Sequence, residues 1–229
     1  MCRSPICTAV IESTKRKASR PVARKRALQL VHLQQIAVIC IHSYKLSSLR
    51  DLSLILISFS GFLRISEALA LRSSDISFKP NHLELFIRSS KTDVYRQGNV
   101  VVIKKTGKVT CPFTTLQTYF ELAKIKTNSE EFIFRSVVKT VGGERLKFQR
   151  LSYTRFREAL LTLLKSIGLN PTEFGTHSLR SGGASRAAEQ GMSHEQIKCH
   201  GRWKSDSSKN RYIEQNVLSR LAVSNSLDL

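Results

Sequence analysis

The sequence predicts an α+β fold, mainly helical, with a small antiparallel β-sheet. Three observations carry this prediction. Apolar residues recur at helical spacing through most of the chain, the period changes to two only around residues 83–103, and glycines or prolines fall where the helical stretches start or stop. At 229 residues and 41% apolar composition, the chain can bury one substantial core.

Taken in order, residues 1–26 read as a basic N-terminal tail. Its short apolar stretch is broken by Pro5 and Glu12, and the clusters Lys15-Arg16-Lys17 and Arg24-Lys25-Arg26 around Pro21 have little apolar material to fold on. Such clusters act as nuclear-localisation signals or phosphate-binding arms, or are plain solvated charge. Over residues 27–42, Leu28, Leu30, Val31, Ile36, Ile39 and Cys40 predict a helix, and residues 49–62 predict a second behind a Ser47-Ser48 cap. Gly61 interrupts it, and 64–71 continues as a short helix with Arg64 and Glu67 on one side. After Pro80-Asn81, Leu83, Leu85 and Ile87 alternate with Glu84, Phe86 and Arg88, and Val100-Val101-Val102-Ile103 follows a polar loop, the pattern of a β-hairpin with a long tip. Helices are expected at about 112–124, at 153–167 with Gly168 as C-cap, and at 178–190 stopped by Gly191. Two short helices, near 193–199 and 206–216, complete a unit spanning 27–216. In the C-terminal tail, 217–229, Val217, Leu218, Leu221 and Val223 present an apolar side.

Charge narrows the function. The 37 Lys and Arg against 17 Asp and Glu leave a net +20, with a pI of 10.2. Each basic group that meets a phosphate releases a condensed counterion, so a polyanion, double-stranded DNA first, is the expected partner. No apolar run approaches the roughly 18 residues a membrane span needs, and no long secretory apolar region opens the chain, which reads as intracellular. Cys2, Cys7, Cys40, Cys111 and Cys199 are scattered singly, without the paired spacing of a zinc site; reduced thiols and no metal are expected.

One constellation carries chemistry: Gly61-Phe62-Leu63-Arg64-Ile65-Ser66-Glu67, then Ser90-Lys91-Thr92-Asp93, then Thr176-His177-Ser178-Leu179-Arg180-Ser181-Gly182-Gly183, and Trp203 nine residues before Tyr212. In order and spacing it resembles the catalytic domain of the tyrosine recombinase, or phage integrase, family. The wording of 176–183 and of His200-Gly201-Arg202-Trp203 resembles the recombinases of eukaryotic mobile elements of the DIRS and Crypton type. Each residue alone is more often structural; the ordered set is what is specific.

The resemblance implies site-specific DNA breakage and rejoining, for recombination or integration, through a covalent 3′-phosphotyrosine on Tyr212, with neither ATP nor metal as cofactor. Arg64 and Arg180 become the guanidinium forks that meet the non-bridging oxygens. His177 becomes a general base or donor, Trp203 an indole donor in the place of a histidine, and Lys91 the acid for the leaving 5′ oxygen. Glu67 becomes a supporting residue that orients the site; read on its own it is a salt-bridge partner of Arg64 one helical turn away. His200 is an alternative to Trp203 if the loop is offset. In relatives the segment beyond the tyrosine docks on a neighbouring protomer, so the tail implies self-association on DNA.

Two departures stand out. Relatives carry a helical core-binding domain that closes a clamp on the duplex, whereas only the basic tail precedes the first predicted helix. A glycine common before the His/Trp position is Arg202, which reshapes that loop or adds a phosphate contact. Three other functions stay open at this point: a catalytically inactive, domesticated DNA-binding protein, a type IB topoisomerase, and a protein-interaction module.

Overall fold

The computed structural model describes residues 4–18, 24–90, 97–214, 221 and 225–226. The segment read as a basic tail begins as helix α1 (Pro5–Ala18). Pro5 suits the first helical turn, where its missing N–H costs nothing, and the side chains of residues 5–14 all remain exposed.

Helix α2 (Leu30–His42) buries Leu33, Ile36, Ala37 and Cys40, a true i, i+3, i+4, i+7 stripe. Leu30, Val31 and Ile39, which the sequence reading placed in the same apolar set, lie on the solvent side. Helix α3 (Leu46–Ser60) is buried on every side from Arg50 to Phe59 and forms the centre of the fold. The expected Ser47-Ser48 cap is not there: Lys45 holds the cap position, and Ser47 donates through N and Oγ to the Glu144 carboxylate at 2.8 Å. Phe62 then takes a left-handed φ of +45°, which turns the chain sharply into α4 (Ile65–Leu69), with Arg64 at its cap.

The first sheet runs β1-β2-β3, antiparallel throughout: β1 (Ile76–Phe78), β2 (His82–Ile87) and β3 (Asn99–Lys104). Leu85 faces Ile76 on one neighbour and Val101 on the other. The expected alternation holds, with Leu83, Leu85 and Ile87 inside. Strand β1, three residues long, is too short to show a period. Helix α5 (Pro112–Leu122) leads to a second, unexpected hairpin, β4 (Arg135–Thr140) and β5 (Gly143–Arg150). Its strands are mostly solvated, so no apolar alternation marks them; the Gly142-Gly143 pair beside Val137, Val138 and Val141 was the available signal.

Helix α6 (Tyr153–Ser166), capped by Ser152, buries Phe156, Leu160 and Leu164 and ends before Gly168 at φ +81°. Helices α7 (His177–Glu189) and α8 (His194–His200) match expectation. Helix α9 (Asp206–Asn210) is much shorter than the expected 206–216. The chain leaves the helix because Ile213 packs into an apolar cluster with Phe62, Ala184, Ile197 and Trp203, and because Glu214 N donates to Ser185 Oγ at 2.8 Å. Most of the tail, 217–229, lies outside the described residues.

The paired glycines of α7 have a packing reason. A Cβ on Gly182 would overlap Leu28 O, and one on Gly183 would overlap Phe59 O and stand 2.7 Å from the Phe62 ring. Only bare backbone lets α7 lie this close to α3. Gly183→Ala should therefore lower stability by about 1–3 kcal/mol despite alanine's better helix propensity. A melting curve checks it, and an unchanged or raised midpoint would remove the close-packing argument.

Candidate active site

Six of the seven residues picked from the sequence converge: Arg64, Glu67, His177, Arg180, Trp203 and Tyr212. Lys91 lies outside the described residues, in the β2–β3 connection. The six come from the α3–α4 turn, α4, α7, and the segments after α8 and α9, up to 148 positions apart in sequence.

Glu67 ties the first part together. Its Oε2 accepts Arg64 N at 2.9 Å and its Oε1 accepts Arg64 Nη1 at 2.6 Å. Arg202 Nη2 also donates to Oε2, at 3.0 Å, and Arg180 Nη1 stands 3.9 Å from the same oxygen. The salt bridge weighed for Glu67 and Arg64 is present. One buried carboxylate faces three guanidiniums, a local excess of positive charge that water screens little.

Helix α7 starts at His177, so His177 and Arg180 lie one turn apart on the same side. The Arg180 side chain is wholly buried. It donates to Phe62 O and, at 2.6 Å, to Gly201 O, with its guanidinium carbon 4.4 Å from the Trp203 ring centroid and 5.1 Å from that of Tyr212. Burial first, and then Arg64, bring its pKa down to about 10, still charged at neutral pH. A charge held by fixed backbone carbonyls and already dehydrated meets an arriving anion at little reorganisation cost.

Partial burial of the His177 ring, followed by Arg180 and Arg64, lowers its pKa below 6.5, so the imidazole is neutral at pH 7 and can take a proton. Because the folded pKa lies below the unfolded one, the unfolded chain binds more protons as pH falls below about 6.5, and stability drops with it. His32 and His200 are lowered mainly by burial as well and add to this slope. His177→Asn should make the fall in melting temperature between pH 7 and pH 5 shallower; an unaltered slope would mean that His177 titrates normally.

Trp203 packs beside Tyr212, ring centroids 5.4 Å apart, and its buried Nε1 has no hydrogen-bond partner among the described residues. A Cβ on Gly201 would overlap the Trp203 ring, so the loop requires glycine there. His200 does not replace Trp203: its Nε2 is bonded to Ser60 O at 2.8 Å and its ring sits edge-on to Phe62. Tyr212 was expected within the 206–216 helix. It lies instead in a turn, half-buried against Arg180 and Trp203, with the His177 ring 6.3 Å away. That turn is anchored by Lys209, whose O accepts Tyr212 N at 2.9 Å and whose buried Nζ meets Asp206 Oδ1 at 3.1 Å and His194 Nδ1 at 3.0 Å.

Sequence reasoning passed over Lys209 and reached Arg202 only as a departure from a family pattern. Nothing in the sequence shows a lysine among serines to be buried. Among the described residues no cluster of three or more His, Cys, Asp or Glu side chains could hold a metal ion, the four described cysteines are unpaired, and no helix is long and apolar enough to cross a membrane.

Comparison with known proteins agrees with this fold. The profile of the phage integrase family matches residues 26–218. An integrase/recombinase XerD homolog of Selenomonas ruminantium is 30% identical over 184 residues, covering 77% of this chain and 52% of that protein. The chain thus spans about half the length of this curated relative. Among solved structures, XerH site-specific recombinase in a post-cleavage complex with its difH substrate superposes with a TM-score of 0.65 at 15% identity, over 90% of this chain and 53% of that one. XerA recombinase gives a TM-score of 0.67 at 15% identity (91% and 65% covered), and a lambda integrase dimer on a core site gives 0.61 at 18% (91% and 55%). At these identities the structures establish a shared fold.

Proposed function

The chain belongs to the phage integrase family, and on that premise we propose that it breaks and rejoins double-stranded DNA through Tyr212, as a DNA strand transferase acting in site-specific recombination or integration. The observation that carries the reading is the placement of the Tyr212 ring against buried Arg180, beside the Trp203 ring, whose Nε1 has no partner among the described residues, with the ring of neutral His177 6.3 Å away.

In this reading Arg64 and Arg180 meet the non-bridging oxygens of the scissile phosphate, and Trp203 Nε1 donates to one of them. His177 accepts the phenolic proton as the Tyr212 oxygen attacks phosphorus. The new bond is a 3′-phosphotyrosine; the bond that breaks runs to the 5′ oxygen, which Lys91 protonates as it leaves. Attack by a 5′-hydroxyl on the phosphotyrosine reverses the step and rejoins the strand. Arg180 Nε, which also lacks a partner among the described residues, supplies one donor without loss of either carbonyl bond.

The match to residues 26–218 supports taking 27–216 as the catalytic unit. The tail, 217–229, is the segment assigned to self-association on DNA. The wording of 176–183 and 200–203 supports an origin in a DIRS- or Crypton-type mobile element, and the basic clusters of residues 15–26 support action in the nucleus.

A nicked suicide duplex, from which the short 5′-hydroxyl fragment diffuses away after cleavage, tests the reading. The expected product is a detergent-resistant protein–DNA adduct on the peptide containing Tyr212. Binding without an adduct would leave a DNA-binding remnant, and relaxation of supercoils at arbitrary sites would favour a topoisomerase. Sedimentation of the same complexes, with and without residues 217–229, tests the tail: larger assemblies should require it.

A further inference from the structure

We infer that Arg202 is a positioning residue which locks the Trp203 loop onto the Arg64 turn through Glu67, rather than a contact to DNA. The inference rests on the strand-transfer reading for its catalytic consequence, but its structural content stands on the contacts alone.

Four acceptors hold one guanidinium. Arg202 Nη1 donates to Gly61 O at 3.2 Å and to His200 O at 3.0 Å, and Nη2 donates to Phe62 O at 3.3 Å and to Glu67 Oε2 at 3.0 Å. Two of these acceptors, Gly61 O and Phe62 O, belong to the turn that leads into Arg64. His200 O belongs to Arg202's own loop, and Glu67 is the carboxylate that orients Arg64 through two bonds. Phe62 O is shared with Arg180, so the contact reaches both phosphate-facing arginines. The side chain is 6% exposed and its head points inward, which leaves no fork turned toward a duplex.

The backbone supports the same assignment. Arg202 sits at φ +56°, a left-handed conformation that glycine adopts freely and arginine only at a cost. That cost is tolerated where the side chain makes contacts that glycine cannot. The neighbouring residue is Trp203, whose ring rests on Gly201 and faces Tyr212, so movement of this loop moves the indole donor relative to the phenol.

Glycine accepts the backbone conformation, so Arg202→Gly deletes the guanidinium without forcing φ to change. Trp203 is the only tryptophan in the chain, and its emission therefore reports this loop alone. In the full-length variant the Trp203 emission should shift to the red and become more accessible to acrylamide. The covalent-adduct rate at saturating DNA should fall about 10- to 100-fold, the loss typical of a misplaced reacting group, while the DNA dissociation constant and its salt dependence stay unchanged. Arg202→Lys, which keeps the charge but cannot reach four acceptors, should recover only part of the rate.

Weaker DNA binding with a shallower salt slope would overturn the inference by making Arg202 a phosphate contact. Unchanged emission together with an unchanged rate would overturn it too. A wild-type protein that forms no adduct would instead defeat the strand-transfer reading, and the emission of the two variants would still decide whether Arg202 holds the loop. Should Arg202→Gly fail to fold, Arg202→Lys carries the same fluorescence and rate comparison.

Discussion

Tyr212→Phe is expected to abolish the covalent protein–DNA adduct, by a factor on the order of 10,000 or more, while DNA binding changes by no more than about twofold. The phenyl ring can keep its place against Arg180 and Trp203, because those contacts are made by the ring and the turn is held by backbone bonds to Lys209 and Ser185. Only the nucleophilic oxygen is lost. Quantifying adduct on the suicide duplex alongside a binding titration separates the two quantities. Residual adduct above about 1% of wild type would point to another nucleophile. Tyr119 is not a competitor, because it is buried and donates to Ile133 O.

Glu67→Gln carries the largest expected cost in stability. It removes the one carboxylate that the described residues place among Arg64, Arg180 and Arg202 and leaves their charges to repel one another in a poorly hydrated site. Breaking a buried ionic cluster by removing one partner costs about 3–5 kcal/mol, roughly 6–20 °C of melting temperature for a chain of this size. Phosphate or sulfate, which can take the carboxylate's place among the arginines, should restore part of the loss. A variant as stable as wild type in low salt would show that water, and not Glu67, balances these guanidiniums.

How much of this was legible in the sequence differs by element. Helices with a one-sided apolar stripe, such as α6 with Phe156, Leu160 and Leu164, declare themselves, because burial imposes the 3.6 period on residue type. The alternation of β2 does the same at period two. The β4–β5 hairpin escaped because its solvated strands impose no such selection, and α9 was drawn too long because its end is set by contacts with α7, far away in the chain. For the site, the ordered set of Arg64, Glu67, Lys91, His177, Arg180, Trp203 and Tyr212 was singled out by its resemblance to a family pattern.

The sequence by itself determined the fold class and the basic charge, which are written in periodicity and residue identity, and it singled out candidate site residues through their resemblance to a family pattern. Only the tertiary structure decided what those side chains touch. It turned Arg202 inward to Glu67, tied His200 to Ser60, buried Lys209 beneath the Tyr212 turn, and laid the phenol over Arg180. The physical reason is that hydrogen-bond partners and desolvation depend on distances between segments more than a hundred residues apart, such as Phe62 and Arg180, and no local pattern records those distances.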